Sequence, residues 1–365
     1  MAHRVNRIVD IPALRLAGHG ISAPRRERVS QLVARLGAVQ AQEYPFAKWG
    51  IGLRLQGVVE ADVERAFTSG EILRTHVMRP TWHFVTAEDI GWMLKLTAPR
   101  VHVTMRSYLL RQGLDVRLIR RALATFEAAL EGGQCLTRAE LGERLRRKRI
   151  DLTAMQMGFV TMYAELERII CSGPRRGRSF TYALLAERAP HARQLSGDEA
   201  LGTLAGRFFS SHGPATVKDF VWWSGLRTVD ARRGIDIARL HKVEQDGLSY
   251  WTPEPHPEGS HRRGVHLLPI YDEYLVAYRD RVAVPHGRAE NPRLAVTFRH
   301  TVVIDGQIAG TWTLARTPEP ATLRITPLRR LTRREREHAA EAAQRYATFL
   351  QGELQVTFDA PPGPV

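Results

Sequence analysis

Two glutamines, Gln40 and Gln42, stand one residue apart in the run LGAVQAQEYPFAKWG from Leu36 to Gly50. A carboxamide neither titrates near neutrality nor attacks carbon, but it offers an acceptor oxygen and two N–H donors. Gly37 sits where a helix would stop, which frees the residues after it to run extended. Alternation then sends Val39 and Ala41 to one face and Gln40 and Gln42 to the other. Two amides side by side can hold one water molecule between them. They can equally cap backbone groups, and spacing alone leaves both uses open. In the first use they orient water but cannot deprotonate it.

Other chemistry-bearing residues fall in three clusters. The run RTHVMRPTWHFV supplies Arg74, His76, Arg79, Trp82 and His83. Thr81 to Val85 is strand-prone, and in an extended run Arg79 and His83 share a parity, so both can serve one binding face. The alternative places Trp82 in the core and hydrogen-bonds His83 to neighbouring backbone. In CSGPRRGRSFTYALL, Arg175, Arg176 and Arg178 occupy a turn between strand-like runs, within reach of phosphates or simply solvated. LLPIYDEYLVAYRDR contains Tyr271, Asp272 and Glu273. Adjacent carboxylates raise general-base or metal chemistry, but no spaced His accompanies them, and Asp272 paired with an arginine is the preferred reading. His256, His261 and His266 lie in or near a Pro-rich stretch, suit no zinc spacing and are expected to be solvent-exposed. No metal and no cofactor is expected.

Composition frames these clusters. The net charge of +15 and a pI near 10.5 point to a polyanionic partner, nucleic acid first among them. Lys48, Lys95, Lys148, Lys218 and Lys242 are the only lysines, so an Arg-rich composition bias is the competing explanation. Cys135 and Cys171 are too few for a disulfide framework or a four-ligand zinc site, which favours reduced thiols in a cytosol. No apolar run has signal-peptide or membrane-span length, so a soluble cytoplasmic monomer is expected.

The elements that must position these residues recur. Helices are predicted within IPALRLAGHG, within RERVSQLVARLG (Val29, Leu32, Val33 and Leu36 at helical spacing) and from about Glu60 to Thr68, before the strand-prone run. From Val116 a second set begins, with a capping box at Thr137 and Glu140 and the Arg-rich hairpin turn. A third set from Ser196 carries a box at Thr216 and Asp219 and a hairpin about Asp246-Gly247. Helix–helix–helix–hairpin three times over is the outline of a winged helix-turn-helix. The fold expected is α+β and helix-rich: three tandem winged helix-turn-helix motifs over 1–115, 116–195 and 196–250. A C-terminal element follows over 251–365, with a hairpin about Asp305-Gly306 and a long helix.

Taken together, LGAVQAQ, RTHVMRPTWHFV, GPATVKDFVWWSGL, LLPIYDEYLVAYRDR and VVIDGQIAGTWTL resemble the AlkZ/YcaQ winged-helix DNA glycosylases. The resemblance runs over nearly the whole chain. It implies a C-shaped set of winged helices around a basic channel for double-stranded DNA, with Gln40 and Gln42 as the catalytic Gln–apolar–Gln motif of the AlkZ branch. It further implies a channel-lining role for Tyr271 and Asp272 and a minor-groove role for the hairpin tip at Gln307, while Arg79, His83, Arg175, Arg176 and Arg178 are expected as DNA contacts from their own clusters. The expected reaction is hydrolysis of the N-glycosidic bond of cationic N7-alkylguanine or N3-alkyladenine, including the unhooking of interstrand crosslinks. The competing reading is a non-catalytic winged-helix regulator or damage binder, which has no use for paired glutamines.

Overall fold

The structure, a computed structural model, describes residues 10–253, 264–279, 298–317 and 320–361. Three stretches repeat one order of elements. In the first, α2 (Val29–Leu36), β1 (Val39–Gln40), α3 (Tyr44–Gly52), α4 (Glu60–Ser69), β2 (Ile72–His76) and β3 (Trp82–Thr86) build a sheet of order β1-β3-β2. In the second, α6 (Val116–Leu130), β4 (Leu136–Thr137), α7 (Arg138–Arg147), α8 (Ala154–Leu166), β5 (Ile170–Ser172) and β6 (Thr181–Leu184) give the matching order β4-β6-β5. In the third, α10 (Gly197–His212), α11 (Val217–Ser224) and α12 (Thr228–Ile237) precede the hairpin β7 (His241–Gln245) and β8 (Leu248–Thr252). A single bridge between Ala215 and Trp251 stands where the other two have their first strand.

Local chemistry accounts for most boundaries. Thr137 and Thr216 accept from the N–H groups of Glu140 and Asp219, whose side chains reach back, so both boxes form as the spacing predicts. Gly37 closes α2 at φ +81°, and the Asp246-Gly247 and Asp305-Gly306 turns carry two positive φ values each, the requirement of a tight hairpin. Between the first two stretches runs α5 (Ile90–Arg111), an element absent from the sequence reading; Pro99 inside it breaks the local helix signal, and buried Trp92, Met93 and Leu94 hold it in place.

The C-terminal part contributes β9 (Val265–Leu268), β10 (His300–Ile304), β11 (Gln307–Ala315), β12 (Ala321–Pro327) and β13 (Leu354–Phe358), which form a five-stranded sheet of order β13-β12-β11-β10-β9 backed by the long helix α14 (Arg333–Leu350). It is not a separate body. Trp49, Phe67 and Phe84 of the first stretch share one apolar core with Leu267, Trp312 and Tyr346 of this sheet and helix. A second core joins Leu73, Val77 and Val85 to Phe208, Phe220 and Trp223 of the third stretch. The small sheet β1-β3-β2 therefore lies between two cores, one against each face. Phe84, Ile72 and Val39 face the first, while Val85, Leu73 and Ala38 face the second, as period-two alternation demands. Among the described residues no helix is long and apolar enough to cross a membrane.

Candidate functional site

Gln40 lies on the edge strand of that sheet. Ala41 donates its N–H to Trp82 O at 2.7 Å, so Ala41 and Trp82 form a hydrogen-bonded pair and Gln40 and His83, opposite each other, form the non-bonded kind. In such a pair the side chains stand closest, with Cβ atoms about 4.5–5.5 Å apart. It also turns the Gln40 N–H outward, off the sheet edge. Glu273 takes it: its Oε1 accepts from Gln40 N at 2.7 Å, and its Oε2 accepts from Trp223 Nε1 at 3.0 Å. A contact across 233 residues thus closes the edge on which the motif sits.

Across the sheet Gln40, His83 and Thr75 fall in one row. Thr81 shares the parity of His83, and Arg79 comes from the tight β2–β3 turn, where Met78 adopts φ +64°. This is where unpaired polar atoms gather. Gln40 Oε1, His83 Nε2, Thr75 Oγ1, Thr81 Oγ1 and both Nε and Nη2 of Arg79 are buried without a hydrogen-bond partner among the described residues. Most buried polar atoms in proteins are paired, so a cluster of such atoms marks a place built to receive something.

Its electrostatics are specific. Burial, helped by the charge of Arg79, lowers the pKa of His83 to about 3, so the ring is neutral. Its Nδ1 lies 2.9 Å from Thr81 O. A carbonyl only accepts, so Nδ1 carries the proton and Nε2 presents a bare lone pair. Glu273 is almost fully buried; burial alone would raise its pKa, but His212, His83 and Arg79 pull it down to about 2, and it stays ionised. The Arg79 guanidinium feels the opposing pulls of burial, which lowers its pKa, and Glu273, which raises it.

From Arg79 the site opens into a cleft of about 450 Å³ lined by Pro80, Arg100, Lys218, Trp222 and Arg279. Trp222 is 47% exposed, and its Nε1–H donates to Val276 O, which fixes the ring at the cleft wall. Gln42, of the same parity as Gln40, has left the sheet and is exposed. Arg74 anchors the segment from below: its Nε donates to Ala41 O at 3.0 Å and its guanidinium covers Trp82 and Phe180.

The structure brings together Gln40, His83 and Arg79, whereas Gln42 stands apart from them, exposed to solvent. Arg79 comes from the turn and His83 from β3, so they do not share one strand, and His83 also makes the backbone hydrogen bond expected of a structural residue. Arg175 leans over Tyr44 and Phe180, beside the segment that follows Gln42. Arg178 is exposed, whereas Arg176 is tied to Glu140 Oε1 and Cys135 O. Asp272 is not brought to the cleft. Both its oxygens accept from Arg54 at 2.8 Å in a pair 1% exposed on each side, the arginine pairing foreseen for it. Tyr271 is half-buried, edge-on to Phe298, with φ +61°. Gln307 is exposed, but the tip beside it is docked: a Cβ on Gly306 would stand 2.6 Å from Pro12 Cβ, and Tyr274 Oη donates to Gly306 O. His266 corrects the expectation of exposure, since it lies in strand β9 (Val265–Leu268) with Nε2 covered. His256 and His261 lie outside the described residues. Trp223, Trp222 and Lys218 were missed, and Glu273, noted only as the neighbour of Asp272, was given no role at the glutamines. Among the described residues no three His, Cys, Asp or Glu side chains group as metal ligands.

Comparison with known proteins gives this arrangement a class, that of a DNA glycosylase. The model of the AlkZ-like DNA glycosylase family matches residues 33–349, and the chain belongs to that family. A relative, the interstrand DNA cross-link repair glycosylase of Streptomyces sahachiroi, is 27% identical over 338 residues, 86% of this chain and 90% of that protein. The solved structure of the Streptomyces sahachiroi DNA glycosylase AlkZ has the same fold, with a TM-score of 0.79 over 96% of this chain and 98% of that one, at 23% identity.

Proposed function

We propose that the enzyme hydrolyses the N-glycosidic bond of cationic N7-alkylguanine and N3-alkyladenine in double-stranded DNA, interstrand crosslinks included, with Gln40 and Gln42 positioning the water. Alkylation at N7 makes the base cationic, so the bond is already polarised and the base departs without a general acid. What remains is to place water against C1′ and to stabilise an oxocarbenium-like sugar. The observation that carries this reading is the buried, unpaired Oε1 of Gln40, two residues before the exposed Gln42, in a cluster whose Arg79 also lines a cationic cleft. The ionised Glu273 behind Gln40 supplies negative charge where positive charge develops. The repeating units over 1–115, 116–195 and 196–250 serve in this reading as three winged helices. With the 251–365 element they form a C around the duplex, in a monomer whose exposed Arg178 and half-buried Arg175 meet phosphates.

The enzyme is monofunctional in this proposal. Lys48, the lysine of this segment, is held at 2.9 Å by both Glu60 and Glu64, which leaves it no role as an amine nucleophile. Borohydride is expected to trap no covalent DNA adduct; a trapped adduct contradicts the assignment, as does rapid release of neutral uracil. The deciding experiment incubates wild type and the Gln40→Ala/Gln42→Ala variant with duplexes carrying 7-methylguanine or a nitrogen-mustard crosslink. Wild type is expected to excise and unhook, and the variant to slow by about 10²-fold or more while DNA affinity is kept. A variant as fast as wild type refutes the role of the pair.

A further inference from the structure

Water held by two glutamines still has to lose a proton once it has bonded to C1′, and neither amide can take it. Beside Gln40 stands a group that can. His83 is its directly opposed cross-strand neighbour, of the non-bonded kind whose side chains lie closest. The Thr81 carbonyl fixes the proton on Nδ1, which leaves Nε2 as an acceptor. Nε2 and Gln40 Oε1 are both buried and both without a partner among the described residues. Two acceptors side by side cannot satisfy each other; each needs a donor. One water molecule has two O–H groups, and donating one to each acceptor leaves an oxygen lone pair free to point elsewhere.

We infer that His83 is a catalytic residue, whose Nε2 accepts a hydrogen bond from the attacking water and then its proton. The inference deepens the reading of the glutamine pair and rests on it. In the step, the water oxygen bonds to C1′ and the C1′–N bond breaks, its electron pair neutralising the departing cationic base. One water proton passes to His83 Nε2 and the other stays on the new hydroxyl. The charge that appears on the imidazole is offset by the buried Glu273 carboxylate, while burial, helped by Arg79, keeps the resting ring neutral. A weak acceptor is enough, because water bonded to an oxocarbenium carbon is a strong acid.

Two substitutions separate this role from a structural one. In His83→Asn the amide replaces Nδ1 and keeps the Thr81 contact, but nothing reaches the Nε2 position. In His83→Gln the amide reaches that position and the Thr81 contact is lost. Single-turnover excision of 7-methylguanine is measured at saturating enzyme, with DNA affinity and thermal unfolding followed in parallel. His83→Asn is expected to fold and bind DNA like wild type yet react about 10²-fold more slowly, with His83→Gln at least about tenfold faster than His83→Asn. The reverse order, or His83→Asn within threefold of wild type, overturns the inference. Should neither variant fold, ¹⁵N NMR of histidine-labelled wild type decides: Nε2 found protonated at neutral pH overturns it, and a bare Nε2 with Nδ1–H supports it. Wild type inactive on 7-methylguanine refutes the glycosylase reading itself, a distinct failure.

Discussion

Asp272→Ala is the sharpest test of how the site is held. Its carboxylate accepts from Arg54 Nη1 and Nη2 at 2.8 Å each, and from Tyr274 N at 2.9 Å as the cap of the short helix α13 (Glu273–Val276). Both partners of the ion pair are 1% exposed, so solvent screens little of the interaction. Each charge-assisted bond is worth about 1.5–3 kcal/mol, and the lost cap adds about 1 kcal/mol. Sparing the burial of Asp272 offsets part of this, but Arg54 is left as an unpaired buried cation; the net loss for breaking such a pair is about 3–5 kcal/mol. Urea unfolding followed by tryptophan fluorescence is expected to show that loss as a lower midpoint with an unchanged slope. The Arg54→Met/Asp272→Leu variant, which removes both charges, is expected to recover to within about 1–2 kcal/mol of wild type. Excision should stay slow in both variants, because α13 without its cap releases Glu273 from beneath Gln40. A single variant within 1 kcal/mol of wild type, or a double variant no more stable than the single, refutes the reasoning.

Other tests address the rest of the site. Gly225 has φ +69°, and a Cβ there would stand 2.2 Å from Met78 O, so Gly225→Ala is expected to push the β2–β3 turn and its Arg79 off α11 and cut excision more than DNA affinity; an unchanged rate contradicts the placement. Burial, with Arg79 beside the first and Arg345 beside the second, holds His83 near 3 and His266 near 4, and burial alone holds His300 near 4. These folded values lie below the ordinary 6.5, so the stability they confer is complete above pH 6.5 and lost as pH falls toward 4, at up to about 1.4 kcal/mol per pH unit per histidine. The urea midpoint should therefore drop from pH 7 to pH 5, a window above the titration of Glu273, and a flat profile there contradicts the buried neutral state. Thr216→Ala removes the cap of α11, and a loss of about 1 kcal/mol is expected by the same unfolding assay.

Much of the site was legible before any coordinates, for reasons of range. Helix caps at Thr137 and Thr216, the stop at Gly37 and the hairpins at Asp246-Gly247 and Asp305-Gly306 follow from bonds and φ angles spanning a few residues, which a local reading captures. The parity expected to set Gln42 beside Gln40 does not hold, because the strand ends at Gln40. Other features depend on residues far apart in the chain, and no local pattern encodes them. That Gln40 turns inward while Gln42 faces solvent depends on where the edge strand ends. Glu273 caps that strand from 233 positions away. The third stretch supplies Trp223 and Trp222, and Arg79 reaches the site through a turn with a positive φ, where parity would have put it on a strand. Asp272, the neighbour of Glu273 in sequence, points the other way and is consumed by Arg54, because a short helix sends consecutive side chains to different sides. Residue types and short-range geometry thus determined which groups were available for chemistry. Only packing on both faces of one small sheet decided which of them would meet, and which would be buried without a partner.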